Sequence, residues 1–342
     1  MIQRRDFTKL MGVTAAGLLA SRVPLYAQDA KWDAVAAAAK KEGKLLIYNG
    51  TGFPIVGKIA AEMQKDTGIA VEVLVGRATE IRERIRIEQS TGRTVASISY
   101  SGYTTMYTQM QEGVWQAHGP LPNMAGMAPE LAKIGNGQLV FGSVGLYALL
   151  YNVNLVKGDD IPKSWKDITD PKWQGKILSD DLRAAGAGNV WFEATLNLFG
   201  REFHEKLAAN KPSFSRNFPD SERRVARGEY PLYIPFNVSE YASLQGLPIK
   251  AVQMSEGGPY VALGGAILKD APHPNAARVW LNYLMGPKGQ AMLAAEGFKP
   301  AVEKYAKDAP AEVVPLLTGK LMGTTTPGRL DETTKMATEI YK

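Results

Sequence analysis

Strand-like and helix-like segments alternate from residue 44 to residue 115, and this alternation restricts the possible fold more than any other feature. The runs "LLIYNG", "IAVEVLVG" and "VASISYSG" are short and apolar, as buried strands are. After each of them comes a segment typical of a helix: "FPIVGKIAAEMQKDTG", "ATEIRERIRIEQSTG" and "YTTMYTQMQEGVW". Strands that alternate with helices form a parallel sheet covered on both faces, so the sequence predicts an α/β fold.

The pattern changes near residue 139. The stretch "LVFGSVGLYALLYNVNLV" gives two apolar strand-like runs with no helix between them, which suits a chain passing from one lobe to another. Further on, "VQMSEGGPYVALGGAILK" predicts paired strands returning toward the first lobe. Because about 300 residues exceed one ordinary core, we predict two lobes. They comprise residues 30–142 plus 255–300 and residues 143–254 plus 301–342.

Four strand ends carry glycine, hydroxyl or amide residues: "YNGTGF", "YSGYTT", "DDLRAAGAGN" and "FNVSEY". Ligands of α/β sheets bind outside the carboxyl ends of strands, where the next helix begins and favours negative charge. Small polar residues also make good turns and N-caps without any ligand. Since these turns are spread over two lobes, we predict a cleft in which an arginine pairs with a carboxylate or phosphate. The predicted ligand-binding residues are Thr51, Gly52, Arg77, Tyr100, Ser101, Tyr103, Arg183, Gly186, Asn189, Asn237 and Ser239.

Residues 1–27 have the pattern of a secretory leader, with Arg4 and Arg5, an apolar run over 10–20, and Ala27 at the expected cleavage site. The arginine pair resembles a twin-arginine signal, and a chance pair in an ordinary signal stays open. Either reading predicts export to the periplasm. Without the leader the net charge falls from +6 to +3, too mild to indicate nucleic acid as a partner. No later segment is apolar enough for a membrane helix, so we expect a soluble protein.

Catalytic and metal-binding patterns are missing from the sequence. The absence of cysteine excludes disulfides, thiol catalysis and thiolate metal sites. His118, His204 and His273 lie far apart, and no metal-ligand spacing joins them. No G-x-S-x-G motif is present, and "GAGNVWF" lacks the lysine and hydroxyl residue of a P-loop. We therefore predict no metal site, no cofactor and no enzymatic activity.

The stretch "LYNVNLVKGDDIPKSWKDITDPKWQGKI" carries a resemblance to a known family. It resembles the extracellular solute-binding proteins of ABC importers, in particular the family-1 group that contains ferric-iron binders. "RVARGEYPL" and "GGAILKDAPHPNAARVWLNYLMGPKGQAML" are similar to that group as well. The resemblance covers nearly the whole chain after the leader. It implies a type 2 periplasmic binding protein, in which two α/β lobes close on a ligand by a hinge and deliver it to an ABC permease in the inner membrane. We expect a monomer.

The chain departs from this family at the metal site. Where the ferric binders have two adjacent tyrosines after a strand, the matching positions are Val238 and Ser239. The family's histidine corresponds to Thr51 or Gly52, and its acidic residue to Tyr100 or Ser101. A trivalent cation needs anionic oxygen ligands, which hydroxyl and amide groups do not supply.

We therefore expect a small polar solute, with an anion favoured by the helix N-termini and Arg183. Three alternatives stay open. The first is a neutral or cationic solute, for which Asp180, Asp181 and Glu240 are the candidate carboxylates. The second is a ferric ion or a metal chelate. The third is an exported enzyme on the same scaffold.

Overall fold

The computed structural model describes residues 25–342, and the side chains from residue 31 onward. Residues 1–24 of the predicted leader lie outside the described residues. Among the residues that are described, none of the helices combines the length and the apolar character needed to cross a bilayer.

Two α/β lobes make up the fold, as predicted. The first lobe and the crossing strand contain α1 Leu25–Glu42, β1 Lys44–Asn49, α2 Ile55–Thr67, β2 Ala70–Val75, α3 Ala78–Ser90, β3 Ile98–Gly102, α4 Tyr103–Gln111, β4 Trp115–Gln116, α5 Pro129–Gly135 and β5 Leu139–Asn152. The second lobe follows with β6 Ile177–Asp180, α6 Ala187–Phe199, α7 Arg201–Ala209, β7 Ser213–Ser215, α8 Phe218–Ala226, β8 Leu232–Asn237 and β9 Ile249–Val252. The remaining elements are β10 Gly258–Leu268, α9 Pro274–Leu284, α10 Pro287–Ala295, β11 Lys299–Pro300, α11 Val314–Leu317, β12 Leu321–Gly323 and α12 Leu330–Ile340.

The strands of the two lobes form one continuous path, β2-β1-β3-β10-β5-β8-β6-β7. In the first lobe β1 pairs in parallel with β2 and β3. In the second lobe β6 pairs in parallel with β7 and β8. The long strands β5 and β10 run antiparallel between these groups and join the lobes. The carboxyl ends of the parallel strands therefore meet the cleft from both sides.

The spacing of apolar residues along the sequence explains the helices that flank the sheet, as α2 shows. In α2 the buried side chains are Ile55, Val56, Ile59, Ala60 and Met63, which lie on one helical face. This helix ends at Gly68, whose φ of 76° is a left-handed conformation that favours glycine.

The predicted change of pattern near residue 139 is real, but the prediction of two separate runs was wrong. The structure has a single 14-residue strand, β5, which pairs with β10 at its start and with β8 and β9 at its end. The predicted strand pair over "VQMSEGGPYVALGGAILK" is also different, because β9 and β10 each pair with β5.

The lobes have separate hydrophobic cores. The core of the first lobe includes Ile47, Ile98 and Trp280, and one core of the second lobe includes Trp165 and Trp191. Another cluster in the second lobe packs β5 and β8 against α11. The predicted residue boundaries of the lobes stay a prediction.

His204 lies within the core of the second lobe and is fully buried. Its Nδ1 is 2.8 Å from the Tyr341 hydroxyl and its Nε2 is 3.1 Å from the Thr195 hydroxyl. Burial lowers the pKa of this imidazole from 6.5 to about 3, because the charged form is poorly solvated there.

We predict a loss of stability in mild acid that depends on His204. Below pH 6.5 the unfolded chain takes up a proton that the folded chain does not accept until about pH 3. The free energy of unfolding should fall by about 2 kcal/mol between pH 6.5 and pH 5 from this group alone. Urea unfolding of the wild type and of His204→Gln at both pH values measures this fall in the free energy of unfolding. Equal losses in the two proteins would contradict the assignment.

Candidate functional site

A cavity of about 630 Å³ lies between the two lobes. We call it the inter-lobe cavity. The first lobe lines it with residues from the starts of α3 and α4, and the second lobe with residues from the starts of α6 and α12. The crossing strands contribute Tyr147 and Val261. The other lining residues are Ala78, Thr79, Arg82, Thr104, Thr105, Thr108, Ala185, Gly186, Ala187, Asn189, Val190, Thr325, Thr326, Gly328, Leu330 and Asp331.

Helix N-termini and hydroxyl groups dominate the walls of this cavity. The first backbone N–H groups of a helix have no partner within the helix and carry partial positive charge. Acidic residues offset this charge in the first turns of α3 and α12, whereas the first turns of α4 and α6 contain none. At the start of α6, however, the Asp180 carboxylate accepts a hydrogen bond from Gly188 N–H at 2.6 Å. The start of α4, with Thr104 and Thr105, is thus the part of the wall that most favours an anionic group.

One hydrogen bond joins the two lobes at the wall of this cavity. The hydroxyls of Thr104 in the first lobe and Thr325 in the second lie 2.9 Å apart. The segment carrying Thr325 is held by Glu193, which is fully buried and accepts a hydrogen bond from Thr326 N–H at 2.9 Å. The segment 325–331 therefore forms a wall of the cavity and contacts the first lobe through Thr325.

Charged groups at the cavity differ in their partners. Arg82 pairs with Glu112, so its charge is balanced within the first lobe. Asp331 is exposed, and no ion pair to it is found within residues 31–342. Tyr147 is half-buried, and burial together with the nearby Asp180 raises the pKa of its phenol.

Two of the predicted ligand-binding residues line this cavity. Gly186 precedes α6 with a φ of 150°, a conformation that favours glycine. Asn189 lies in the first turn of α6 and donates from its side-chain amide to the Thr333 hydroxyl at 3.0 Å. Their role in binding stays a prediction.

A second cavity, of about 500 Å³, is also formed by both lobes. Ser239 lines it, and Phe53 lines it from the opposite side. Thr51 and Gly52 lie in the turn just before Phe53, and the Thr51 hydroxyl accepts a hydrogen bond from Phe53 N–H. Asn237 caps the following 3-10 segment by accepting hydrogen bonds from the N–H and the hydroxyl of Ser239. Of these four predicted residues, Ser239 alone lines the second cavity. The side chains of Thr51, Asn237 and Ser239 form hydrogen bonds with groups two residues away in the sequence.

The two predicted arginines lie outside the linings of both cavities. Arg183 pairs with Asp181 at 2.8 Å and donates to the Tyr341 carbonyl at 3.2 Å, so its charge is already balanced. Arg77 is exposed at the start of α3, and its N–H donates to Glu80.

Three predicted residues of β3 and α4 are turned toward the interior. Tyr100 is 1% exposed and packs edge-on against Trp280 at 5.9 Å. Ser101 is 3% exposed beside Gly50. Tyr103 is half-buried and packs against the ring of Phe141.

The sequence reasoning missed most of the inter-lobe lining. Thr104 and Thr105 were within a turn that the sequence singled out, and their place at a helix start was the available signal. Residues 325–331 gave no signal, because the cavity wall they form depends on how the chain end folds back.

Within the described part of the chain, no group of three or more His, Cys, Asp and Glu side chains could hold a metal ion. The phenols are poorly suited to act as anionic ligands. Burial raises the pKa of Tyr100 to about 12 and also raises the pKa of Tyr103. Val238, one of the two positions that match the tyrosine pair, is fully buried.

The sequence of this chain is similar to a family model and to the sequences of known bacterial proteins. The family model for bacterial extracellular solute-binding proteins matches residues 100–320, more than half of the chain. A Haemophilus influenzae protein of unstated role is 28% identical over 144 residues, which are 40% of this chain and 41% of that protein. The Fe(3+)-binding periplasmic protein of Serratia marcescens is 22% identical over 297 residues, covering 82% of this chain and 85% of that protein.

The fold is also that of solved structures. The Trichodesmium protein IdiA (FutA), in complex with iron and citrate, superposes with a TM-score of 0.72 at 17% identity. The superposition covers 88% of this chain and all of that one. At this identity the likeness establishes a shared two-lobe architecture.

Proposed function

Because this chain belongs to the family of bacterial extracellular solute-binding proteins, we propose that it captures a small polar solute between its two lobes in the periplasm. The solute is then delivered to an ABC permease in the inner membrane. The observation that supports this proposal is the inter-lobe cavity of about 630 Å³, which both lobes line. Its size lies within the range of about 300–1,000 Å³ that is typical of small-molecule sites. In this role the protein binds and delivers the solute without catalysing a reaction.

Because residues of both lobes line the cavity, a bound solute can hold the two lobes in a closed arrangement. A solute that contacts α4 in the first lobe and α6 or α12 in the second can hold them together only when the cleft is shut. Its differential affinity for the closed form shifts the population toward that form, which the permease recognises. An anionic group of the solute fits best at the start of α4, where the helix charge is not offset by an acidic residue.

A metal chelate is the second candidate, favoured by the iron and citrate bound to the Trichodesmium neighbour. An anionic ferric chelate would bind through its organic oxygens and would need no protein carboxylate or phenolate on the metal. Stabilisation by ferric citrate without a tyrosinate absorption band would support it. Stabilisation by free ferric ion with such a band would contradict both this idea and the absence of direct ligands.

Capture of the solute tests the proposal directly. The full chain is incubated with the fraction of a bacterial extract below about 1 kDa, desalted, and analysed by native mass spectrometry. We expect one added mass, present in the native spectrum and released on denaturation. A thermal-shift screen with organic acids, phosphonates, polyamines, thiamine and ferric citrate then identifies its class. A protein that retains no small molecule and responds to none of these compounds would contradict the proposed function.

A further inference from the structure

Apolar side chains line part of the inter-lobe cavity on the side of the second lobe. We call this part the apolar wall, and it consists of Ala187, Val190, Val261 and Leu330, all of which line the cavity. Ala187 and Val190 come from the first turn of α6, Leu330 is the first residue of α12, and Val261 lies on β10. The first lobe, in contrast, lines the cavity with four threonines and one arginine. The two sides of the cavity therefore differ in polarity.

Leu330 is the most exposed member of the apolar wall. It is 39% exposed, whereas Ala187 and Val190 are 6% and 8% exposed. Among the large hydrophobic residues that are exposed in residues 31–342, Leu330 alone lines this cavity. Removing an apolar side chain from water is favourable, in proportion to the area that a ligand covers. The wall thus offers apolar area that a solute in the cavity can cover.

Two polar side chains on the same side are already bonded within the protein. Asn189 is 1% exposed, and its side-chain amide donates to the Thr333 hydroxyl at 3.0 Å. This hydrogen bond joins α6 to α12 and so fixes the two helices that carry most of the apolar wall. The Thr325 hydroxyl is paired with Thr104 of the first lobe at 2.9 Å. Neither side chain therefore adds a free polar group to the apolar wall.

The charged group on this side disfavours an anion. Asp331 directly follows Leu330, lines the cavity and is exposed, and no ion pair to it is found within residues 31–342. A carboxylate of the solute placed here would lose its water shell against Leu330 and would meet the like charge of Asp331. An anionic group therefore fits on the side of the first lobe and not on this one.

We propose that the apolar wall binds a hydrocarbon part of the solute, and that the substrate class is an organic anion with a hydrocarbon chain or ring. The anionic group lies at the start of α4, as in the proposed function, and the hydrocarbon part covers Leu330 and Val190. A sugar or polyol fits less well, because its hydroxyl groups would lose hydrogen bonds to water against this wall. This inference rests on the proposed function and narrows its substrate class.

A matched series of six-carbon carboxylates tests the apolar wall by calorimetry: hexanoate, adipate and gluconate. They share the chain length and one carboxylate. Hexanoate ends in a methyl group, adipate ends in a second carboxylate, and gluconate carries hydroxyl groups along its chain. We expect hexanoate to bind at least about tenfold more tightly than either of the others, because it covers the wall without desolvating further polar groups.

Substitution of Leu330 gives a second readout. Leu330→Asn replaces the exposed leucine with a polar side chain of similar size. It should weaken hexanoate binding by about fivefold or more and so reduce the preference for hexanoate over gluconate. Leu198→Asn is the matched control, because Leu198 is 51% exposed on α6, does not line the cavity, and should leave the affinity for hexanoate unchanged. Thermal melting of both variants shows that they are folded.

Three results would overturn the inference: adipate or gluconate binding as tightly as hexanoate, equal affinities of the wild type and Leu330→Asn for hexanoate, or no hexanoate binding at millimolar concentration. The extract experiment separates each of these results from a failure of the proposed function. A sugar, polyol or dicarboxylate captured from the extract leaves the proposed function standing and removes only the role of the apolar wall. A captured anion with a hydrocarbon chain or ring supports both.

Discussion

Replacing Thr105 with tryptophan should weaken solute binding by ~10–100-fold. Thr105 is half-buried in the first turn of α4 and lines the inter-lobe cavity. An indole there occupies space that the solute needs, and overfilling a packed site costs about 1–3 kcal/mol. The measurement is the dissociation constant of the captured solute, determined by calorimetry for the wild type and the variant.

Thr338→Trp is the matched control, because Thr338 is exposed on α12 and does not line the cavity. It introduces the same side chain and should leave the dissociation constant unchanged. Equal affinities of the wild type and Thr105→Trp would mean that the solute binds elsewhere.

Removing the Trp191 side chain should destabilise the protein by ~3–5 kcal/mol. This indole is fully buried in the core of the second lobe and packs edge-on against Trp165 at 5.5 Å and His204 at 5.7 Å. No neighbour can fill the space that an alanine would leave, because the surrounding aromatic rings are held by their own packing. Chemical denaturation followed by circular dichroism measures the change.

Leu198→Ala provides the comparison on the same helix, α6. The Leu198 side chain is 51% exposed, so its removal should change the free energy of unfolding by less than about 1 kcal/mol. If Trp191→Ala were no more destabilising than Leu198→Ala, the described packing of the second lobe would be wrong.

The fold class was predictable because local patterns and tertiary structure agree over most of the chain. Buried strands such as β1 are short and apolar, and α2 carries its buried residues on one face. The error at β5 came from Gly142 and Gly145, which look like interruptions in a strand. In the structure they permit close approach, since a β-carbon at Gly142 would be 2.7 Å from Leu284 and one at Gly145 would be 3.1 Å from Val261.

The site was harder to predict, because its composition depends on contacts between distant segments. The sequence could indicate the strand ends and helix starts, and Gly186 and Asn189 do lie at the inter-lobe cavity. It could not show that Arg183 already pairs with Asp181. Nor could it show that residues 325–331 return to form a wall.

The burial of Glu222 illustrates the same limit. Glu222 lies on α8, and only the packing of this helix places its side chain in the interior of the second lobe. A buried carboxylate without a partner has no signature in the sequence, because exposed and buried glutamates on amphipathic helices look alike.

Small-angle X-ray scattering of the full chain, with and without the captured solute, tests the central proposal most directly. Closure of two lobes on a solute predicts a smaller radius of gyration for the loaded protein than for the empty one. Thr105→Trp should keep the larger radius under the same conditions. A radius of gyration that does not change while calorimetry shows the solute bound would contradict capture by closure of the cleft.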